Sequence, residues 1–385
     1  MTKQALLQKF APAMRPLAGI AAGLAVAAII MLCSGYHPVA AFAAMWTGAT
    51  GLEAGPATSD TMIRLGSGHI NLFLLAQTLA KITPLLFTGT AIAVGLRAGL
   101  FNIGAQGQML MGALFAAGVG ALGKHSAAGD GSINPGLHVL LVLVAGAAAG
   151  ALWGALSGVL KAYRGVHEVI STIMLNFAAL DIIQYLVTHN MKDDAPGSMS
   201  AQSPLMAQTA WLWPYVHGSN LTAGILLAII STFAAALFIG RTSTGLQIRA
   251  VGLSPDTARA SGIDVRRITV LTMALSGAIA GLAGAVEVMG IHHRYVAGVA
   301  GTAGFDGIAV ALLGNLSGPG VALSALFFGA LASGSGYMET TTNVPAPISE
   351  IVQAVVILLV GIKAAIRFRR PGTKAERKET HGISG

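Results

Sequence analysis

The chain has 385 residues, 54% of them hydrophobic and 10% charged, with 50 glycines and a formal net charge of +8. So little polar surface cannot cover a soluble globule of this size, and the composition reads as an integral membrane protein. The positive charge does not mark a nucleic-acid binder, because lysine and arginine are distributed in the pattern of membrane topology.

About ten apolar stretches approach the roughly 20 residues a helix needs to cross a hydrocarbon core of about 30 Å. They are 17–34, 71–96, 100–122, 137–160, 168–187, 221–239, 268–289, 303–316, 319–336 and 347–365, the weakest apolar signals being 303–316 and 319–336. The predicted fold is all-α, with a short cytoplasmic segment 1–16, a transmembrane domain 17–365 and a basic cytoplasmic tail 366–385. With both ends inside, eighteen lysines and arginines fall in cytoplasmic segments and four outside (Arg64, Lys124, Lys192 and Arg294), while Lys81 lies within a span. The positive-inside bias sets that orientation.

The first span follows Lys3, Lys9 and Arg15 and could act as a secretory signal, with Ala41-Phe42-Ala43 as the cleavage pattern. The many later spans favour a retained anchor. Cys33 is the only cysteine, which excludes an intramolecular disulfide. Residues 35–70 read as an outside segment in which Tyr36 and Trp46 sit at the interface. The second span carries Lys81, a charge that must find a partner or snorkel outward, and Pro84, which interrupts the hydrogen-bond ladder.

The densest local signal follows, RAGLFNIGAQGQMLMGA. Its glycines permit close backbone approach, and Asn102, Gln106 and Gln108 set three amides at the mouth of an apolar helix. Those amides either line a polar path or tie helices together. Gly118–His125 almost spells a phosphate-binding loop, but His125 replaces the magnesium-binding hydroxyl and no strand precedes it.

Gly146, Gly150, Gly154 and Gly158 recur every fourth residue, and Gly277, Gly281 and Gly284 repeat the arrangement, both predicting close helix packing. Asn176 and Asp181 lie in the fifth span, and Asp181 is a functional carboxylate, the partner of Lys81 or a protonated acid. Trp211 and Trp213 mark re-entry to the membrane. Glu287, His292, His293 and Arg294 gather at the outer end of the seventh span, but adjacent histidines cannot share a helical face and no metal-ligand spacing emerges. Asp306 opens a glycine-rich half-span, and the likeness of Ala91–Arg97 to Gly307–Gly314 hints at an internal duplication.

The most informative interior polar stretch is Gly240–Arg267. Ser254 can cap a helix, Pro255 suits its first position, Asp256 complements the positive helix end and Gly262 suits the exit. The result is a helix of about two turns, too short to stand alone. The expectation is a cytoplasmic docking element in which Ala258 and its small neighbours fit a groove and Arg249 and Arg259 reach acidic groups at its rim. The alternative is a solvated loop.

Taken together, Thr83–Ala113, Ala250–Ile263 and Gly304–Gly320 closely resemble the permeases of bacterial ABC importers of the branched-chain amino acid and ribose-type superfamily, most of all the nucleoside and simple-sugar uptake subunits. The resemblance runs over about residues 70–365. It implies a bundle of about ten helices in the bacterial inner membrane, paired with a second related permease, two ATP-binding cassette subunits and an external solute-binding lipoprotein. It also implies that the loop matching Gly252–Gly262 docks into the ATPase, with Arg249, Gly252, Ser254, Pro255, Ala258, Arg259 and Gly262 as the coupling residues. In N-I-G-x-E-G-Q of the family, this chain has Gln106 in place of Glu. The chain looks like the larger member of a nucleoside permease pair.

The expected function is half of an ATP-driven translocation path for a nucleoside, purine-type favoured, or a simple sugar, without catalysis or a cofactor of its own. Asn102, Gln106, Gln108, Asn176 and Asp306 are the candidate path residues. The competing reading is an ion-coupled transporter or channel using Asp181, Glu287 and Asp306 as a relay.

Overall fold

The structure is a computed structural model that describes residues 20–54, 62–65, 68–122, 133–192 and 202–345, with 347–348, 350–351 and 354–355. The expected segments 1–16 and 366–385, most of the tenth span, and the lysine-histidine end of the phosphate-loop look-alike lie outside the described residues. The chain divides into two units, one formed by 1–38 with 345–385 and the other by 39–344.

In the first unit the described helix is α1 (Ile20–Cys33), closed by a turn in which the Tyr36 N–H donates to the Met31 carbonyl at 2.8 Å. The second unit begins with α2 (Pro38–Thr50) and a three-stranded antiparallel sheet in the order β1 (Leu52–Ala54), β3 (Gly68–Asn71), β2 (Met62–Leu65). Neither was anticipated in the segment 35–70. Strands of three or four residues are too short to show alternation, and their register is held by cross-strand partners such as Glu53 and His69, whose side chains pair at 3.3 Å.

The helices that follow are α3 (Leu72–Arg97), α4 (Ala105–Gly120), α5 (Pro135–Arg164), α6 (Glu168–His189), α7 (Gly224–Arg241), α8 (Ser243–Leu253), α9 (Pro255–Ala260), α10 (Val265–Glu287), α11 (Ala303–Leu313) and α12 (Gly318–Thr342). Among the described residues, α3, α5, α6, α7, α10 and α12 are long and apolar enough to span a membrane. The stretch 100–122 yields a shorter helix than expected because Gly99, at φ +73°, turns the chain between α3 and α4. Gly118 lies inside α4, so the look-alike loop begins as ordinary helix.

Helix α3 runs through the middle of the unit, with 83% of its apolar window buried. The Asn71 side chain caps it by accepting from the Phe73 and Leu74 N–H groups at 3.1 and 3.4 Å, and it continues unbroken through Pro84. The expected glycine faces meet each other. A Cβ at Gly277 would overlap the Gly150 carbonyl oxygen, one at Gly281 that of Gly146, and one at Gly284 the Met109 carbonyl of α4. Bringing α4, α5 and α10 into backbone contact needs no side-chain interdigitation, which is how helices gain packing where lipid removes the hydrophobic drive. Helices α5, α6 and α7 are buried over only about a quarter of their apolar length, and Leu152, Phe177 and Ile230 are left outward for lipid.

The described residues 202–223 before α7 are largely irregular but tied down. Leu212 N–H donates to the Met289 carbonyl at 3.0 Å and Met206 N–H to that of His293 at 2.8 Å, while Trp211 stacks on His293 with ring centroids 3.9 Å apart. It holds the end of α10, which closes in a π turn, Val288–His292, with His293 in the left-handed region at φ 52°.

Candidate functional site

Two sets of residues carry the functional expectations, the short helix α9 and the amides around α4. In α9 the sequence signals appear in place. Ser254 Oγ accepts from the Thr257 N–H at 3.3 Å, Pro255 is the first helical residue, and Gly262 leaves the helix at φ +82°, where a side chain would be strained. Ile263 N–H returns to the Ala258 carbonyl at 3.0 Å, so six residues are capped at both ends.

Ala258 does not lie where the groove-fitting expectation put it. It is 3% exposed and packs inward with Val94, Ile248, Val251 and Ile268. On so short a helix only one residue per turn can face the bundle, and the methyl group of Ala258 is that anchor. The outward face is made by Asp256, Thr257, Arg259, Ala260 and Ser261, with Arg259 Nη1 and Asp256 Oδ1 paired at 3.0 Å in the open. Sequence reasoning missed Leu253, which is 88% exposed directly before the cap, and Leu246, two turns earlier on the same face of α8 and 60% exposed. A leucine that breaks a polar run was the available signal.

Arg249 and Arg259, read as a pair, are separated. Arg249 lines a cavity beside Arg97, whereas Arg259 stays on the outer surface. Gly252 lies against the end of α3, where a Cβ would overlap the Arg97 carbonyl oxygen, and Gly99 of the same turn also faces Gly252. The segment α8–α9 is therefore keyed by backbone contact into α3.

The amides of α4 form a connected network. Asn102 Nδ2 donates to Gln108 Oε1 at 2.9 Å and to Ser276 Oγ at 2.8 Å, and Gln108 Nε2 returns a bond to Asn102 Oδ1 at 3.1 Å. Ser276 Oγ in turn donates to the Ala91 carbonyl at 2.6 Å, joining α3, α4 and α10. Asn176 of α6 accepts from the Gly107 N–H at 2.8 Å and donates to the Ile103 carbonyl at 3.0 Å, capping α4 from a neighbouring helix. Gln106 spans α4 and α11, donating to the Gly301 carbonyl at 2.7 Å and accepting from the Gly304 N–H at 2.9 Å. All four amides are buried. Asp306 stands apart from them and accepts from Thr302 Oγ1 at 2.7 Å.

The predicted Lys81–Asp181 pair does not form. Asp181 is exposed on α6, and Lys81 instead acts electrostatically on Glu287 and His292 near the end of α10. The relay carboxylates Asp181, Glu287 and Asp306 lie on three different helices. His293, just past the span, has its pKa held below the ordinary histidine range by burial first, against the opposing bond its ring donates to the Met289 carbonyl. Among the described residues no cluster of three histidine, cysteine or acidic side chains could hold a metal ion.

These features define a polytopic helical membrane protein whose polar groups serve helix contacts and whose short capped helix projects from one end. Residues 74–361 match the family described as branched-chain amino acid transport system / permease component, and the chain belongs to it. It is 36% identical to the guanosine ABC transporter permease protein NupP of Bacillus subtilis, over 92% of this chain and 94% of that one. It is 33% identical to the nucleoside ABC transporter permease protein NupB of Lactococcus lactis, covering 94% and 93%. To the glucose ABC transporter permease protein TsgB13 of Haloferax volcanii it is 30% identical, covering 95% and 93%.

Proposed function

We propose that this chain is half of the translocation path of an ATP-driven importer in the bacterial cytoplasmic membrane, with both ends and the α8–α9 segment on the cytoplasmic side and about ten helices in all. Its cargo is a nucleoside, purine-type favoured. The relatives at 36% and 33% identity are named for guanosine and nucleoside and the one at 30% for glucose, so a simple sugar is the second reading. A second related permease, two ATP-binding cassette subunits and an external solute-binding lipoprotein complete the assembly, and ATP hydrolysis belongs to the cassette subunits.

The observation that carries this reading is the α8–α9 surface. Leu246 and Leu253, 60% and 88% exposed on one face of α8 beside a doubly capped six-residue helix, form an apolar stripe that a partner's groove would cover. Arg249, Gly252, Ser254, Pro255, Ala258, Arg259 and Gly262 then divide into roles. Ser254, Pro255 and Gly262 shape the helix, Gly252 and Ala258 seat it, Arg249 faces the interior and Arg259 meets the partner. Rocking of the bundle follows when the cassettes close. The four buried amides hold the moving helices in register, and Asp306, at the start of α11, is the path residue of the set.

Leu253→Asp combined with Arg259→Glu tests the docking. Loss of cassette co-purification and of guanosine uptake is expected, and retention of both refutes the reading. Guanosine uptake that persists without ATP but collapses with the ion gradient would favour the ion-coupled alternative.

A further inference from the structure

At the α9 end, α3, α7, α8, the turn between α11 and α12 and the start of α12 line a half-open cavity of about 320 Å³. Two of its lining residues are arginines, Arg97 from α3 and Arg249 from α8, and none is acidic. Arg97 directs Nε and Nη2 to one acceptor, the Leu316 carbonyl, at 3.1 and 2.8 Å. That carbonyl is neutral, so the guanidinium charge is not compensated. Asn315 and Leu316 sit in the left-handed region at φ 49° and 57°, and the Arg97 fork holds this turn in place.

Arg249 is less satisfied still. Its Nε is buried without a hydrogen-bond partner, and its guanidinium makes no ion pair among the described residues. A lone buried donor is costly, and two uncompensated cations on one cavity repel each other. The neutral hydroxyls there are committed elsewhere. Thr90 and Thr232 bond each other at 2.8 Å, and Ser317 donates to the Gly314 carbonyl at 3.0 Å while capping α12. What remains unused is charge and guanidinium N–H, beside the positive end of a 25-residue helix.

We propose that this cavity binds a phosphate group, held between Arg97 and Arg249 with the N-terminus of α12 behind it. A tetrahedral anion with several acceptor oxygens accepts from the Arg249 fork and, at the same time, from the Arg97 N–H groups not spent on the Leu316 carbonyl, which a carbonyl or a water cannot do. Because Arg97 belongs to α3 and Arg249 to the segment that carries α9, the bound anion clamps that segment to the bundle. The same chemistry is offered by the headgroup of an anionic phospholipid and by a soluble phosphate.

The test uses the full-length protein. Its thermal unfolding is followed in detergent with inorganic phosphate added at constant ionic strength, and in nanodiscs of phosphatidylcholine with or without phosphatidylglycerol, with native mass spectrometry for retained lipid. At least one probe is expected to raise the melting temperature, and Arg249→Leu to weaken that probe on the order of tenfold. Arg249→Leu removes no hydrogen bond among the described residues, and Arg249→Lys, which keeps the charge, should retain most of the effect. Arg241→Gln, an exposed arginine outside the cavity, should leave it unchanged. A response to inorganic phosphate assigns the site to a soluble anion, and a response to phosphatidylglycerol alone assigns it to lipid. Stabilisation by neither probe, or equal stabilisation of Arg249→Leu, overturns the proposal, as does an Arg249→Leu variant that binds anion normally but loses its cassette partners.

Discussion

Replacing Gln106 with glutamate isolates what one amide contributes. Gln106 uses both ends of its side chain, Nε2 to the Gly301 carbonyl at 2.7 Å and Oε1 from the Gly304 N–H at 2.9 Å. A carboxylate keeps the second bond and loses the first, because it has no donor to offer. The Gly301 carbonyl is then left facing an anion. Gly301 itself is exposed, so its carbonyl can turn to water and the loss is essentially that of one bond, and Gln106→Glu should destabilise the fold by roughly 1–2 kcal/mol. Gln106→Met removes both bonds without adding charge and serves as the neutral comparison.

The assay is thermal unfolding of the purified protein in one detergent, where Gln106→Glu should melt a few degrees lower. The loss should concentrate where α11 meets α4, so protease accessibility near Gly301–Gly304 should rise while that of the α5–α10 contact stays unchanged. A Gln106→Glu protein that melts with the wild type would refute the argument and show that the Gly301 carbonyl keeps a donor, either the protonated side chain itself or a neighbouring group.

Gly252 and His293 give two further predictions. A Cβ at Gly252 would overlap the Arg97 carbonyl oxygen, which is backbone and cannot swing aside, so Gly252→Ala should cost about 1–3 kcal/mol and shift α8. Uptake should fall about tenfold or more while cassette subunits still co-purify, and normal uptake would remove α3 from the force path. The His293 pKa is lowered in the folded protein, so the unfolded chain binds the proton first as pH falls below about 6.5. Stability should therefore be full above that pH and decline on acidification through it. His293→Phe, which keeps a ring against Trp211, should flatten that slope between pH 7.5 and 5.5 in the same melting assay.

What was legible in the sequence follows from how local each signal is. The cap, first proline and exit glycine of α9 act within one or two turns, so Ser254, Pro255 and Gly262 could be assigned without knowing any neighbour. The glycine ladders were equally readable, since a four-residue period of small side chains has one physical use in a helix surrounded by lipid. Direction was not readable. Nothing near Ala258 says whether it faces inward, because a six-residue helix has no amphipathic period, and only the burial of Val94 and Ile268 around it decides. The same holds for the amides. Asn102, Gln106, Gln108 and Asn176 could be recognised as polar groups that must be satisfied, but their partners lie as far as 198 residues away in sequence. The cost of an unsatisfied amide explains why they gather at helix ends, where backbone groups also lack partners. Arg97 and Arg249 meet the same requirement only in part, and for that reason the cavity between them, rather than the amide network, is where the bundle still has binding capacity to offer.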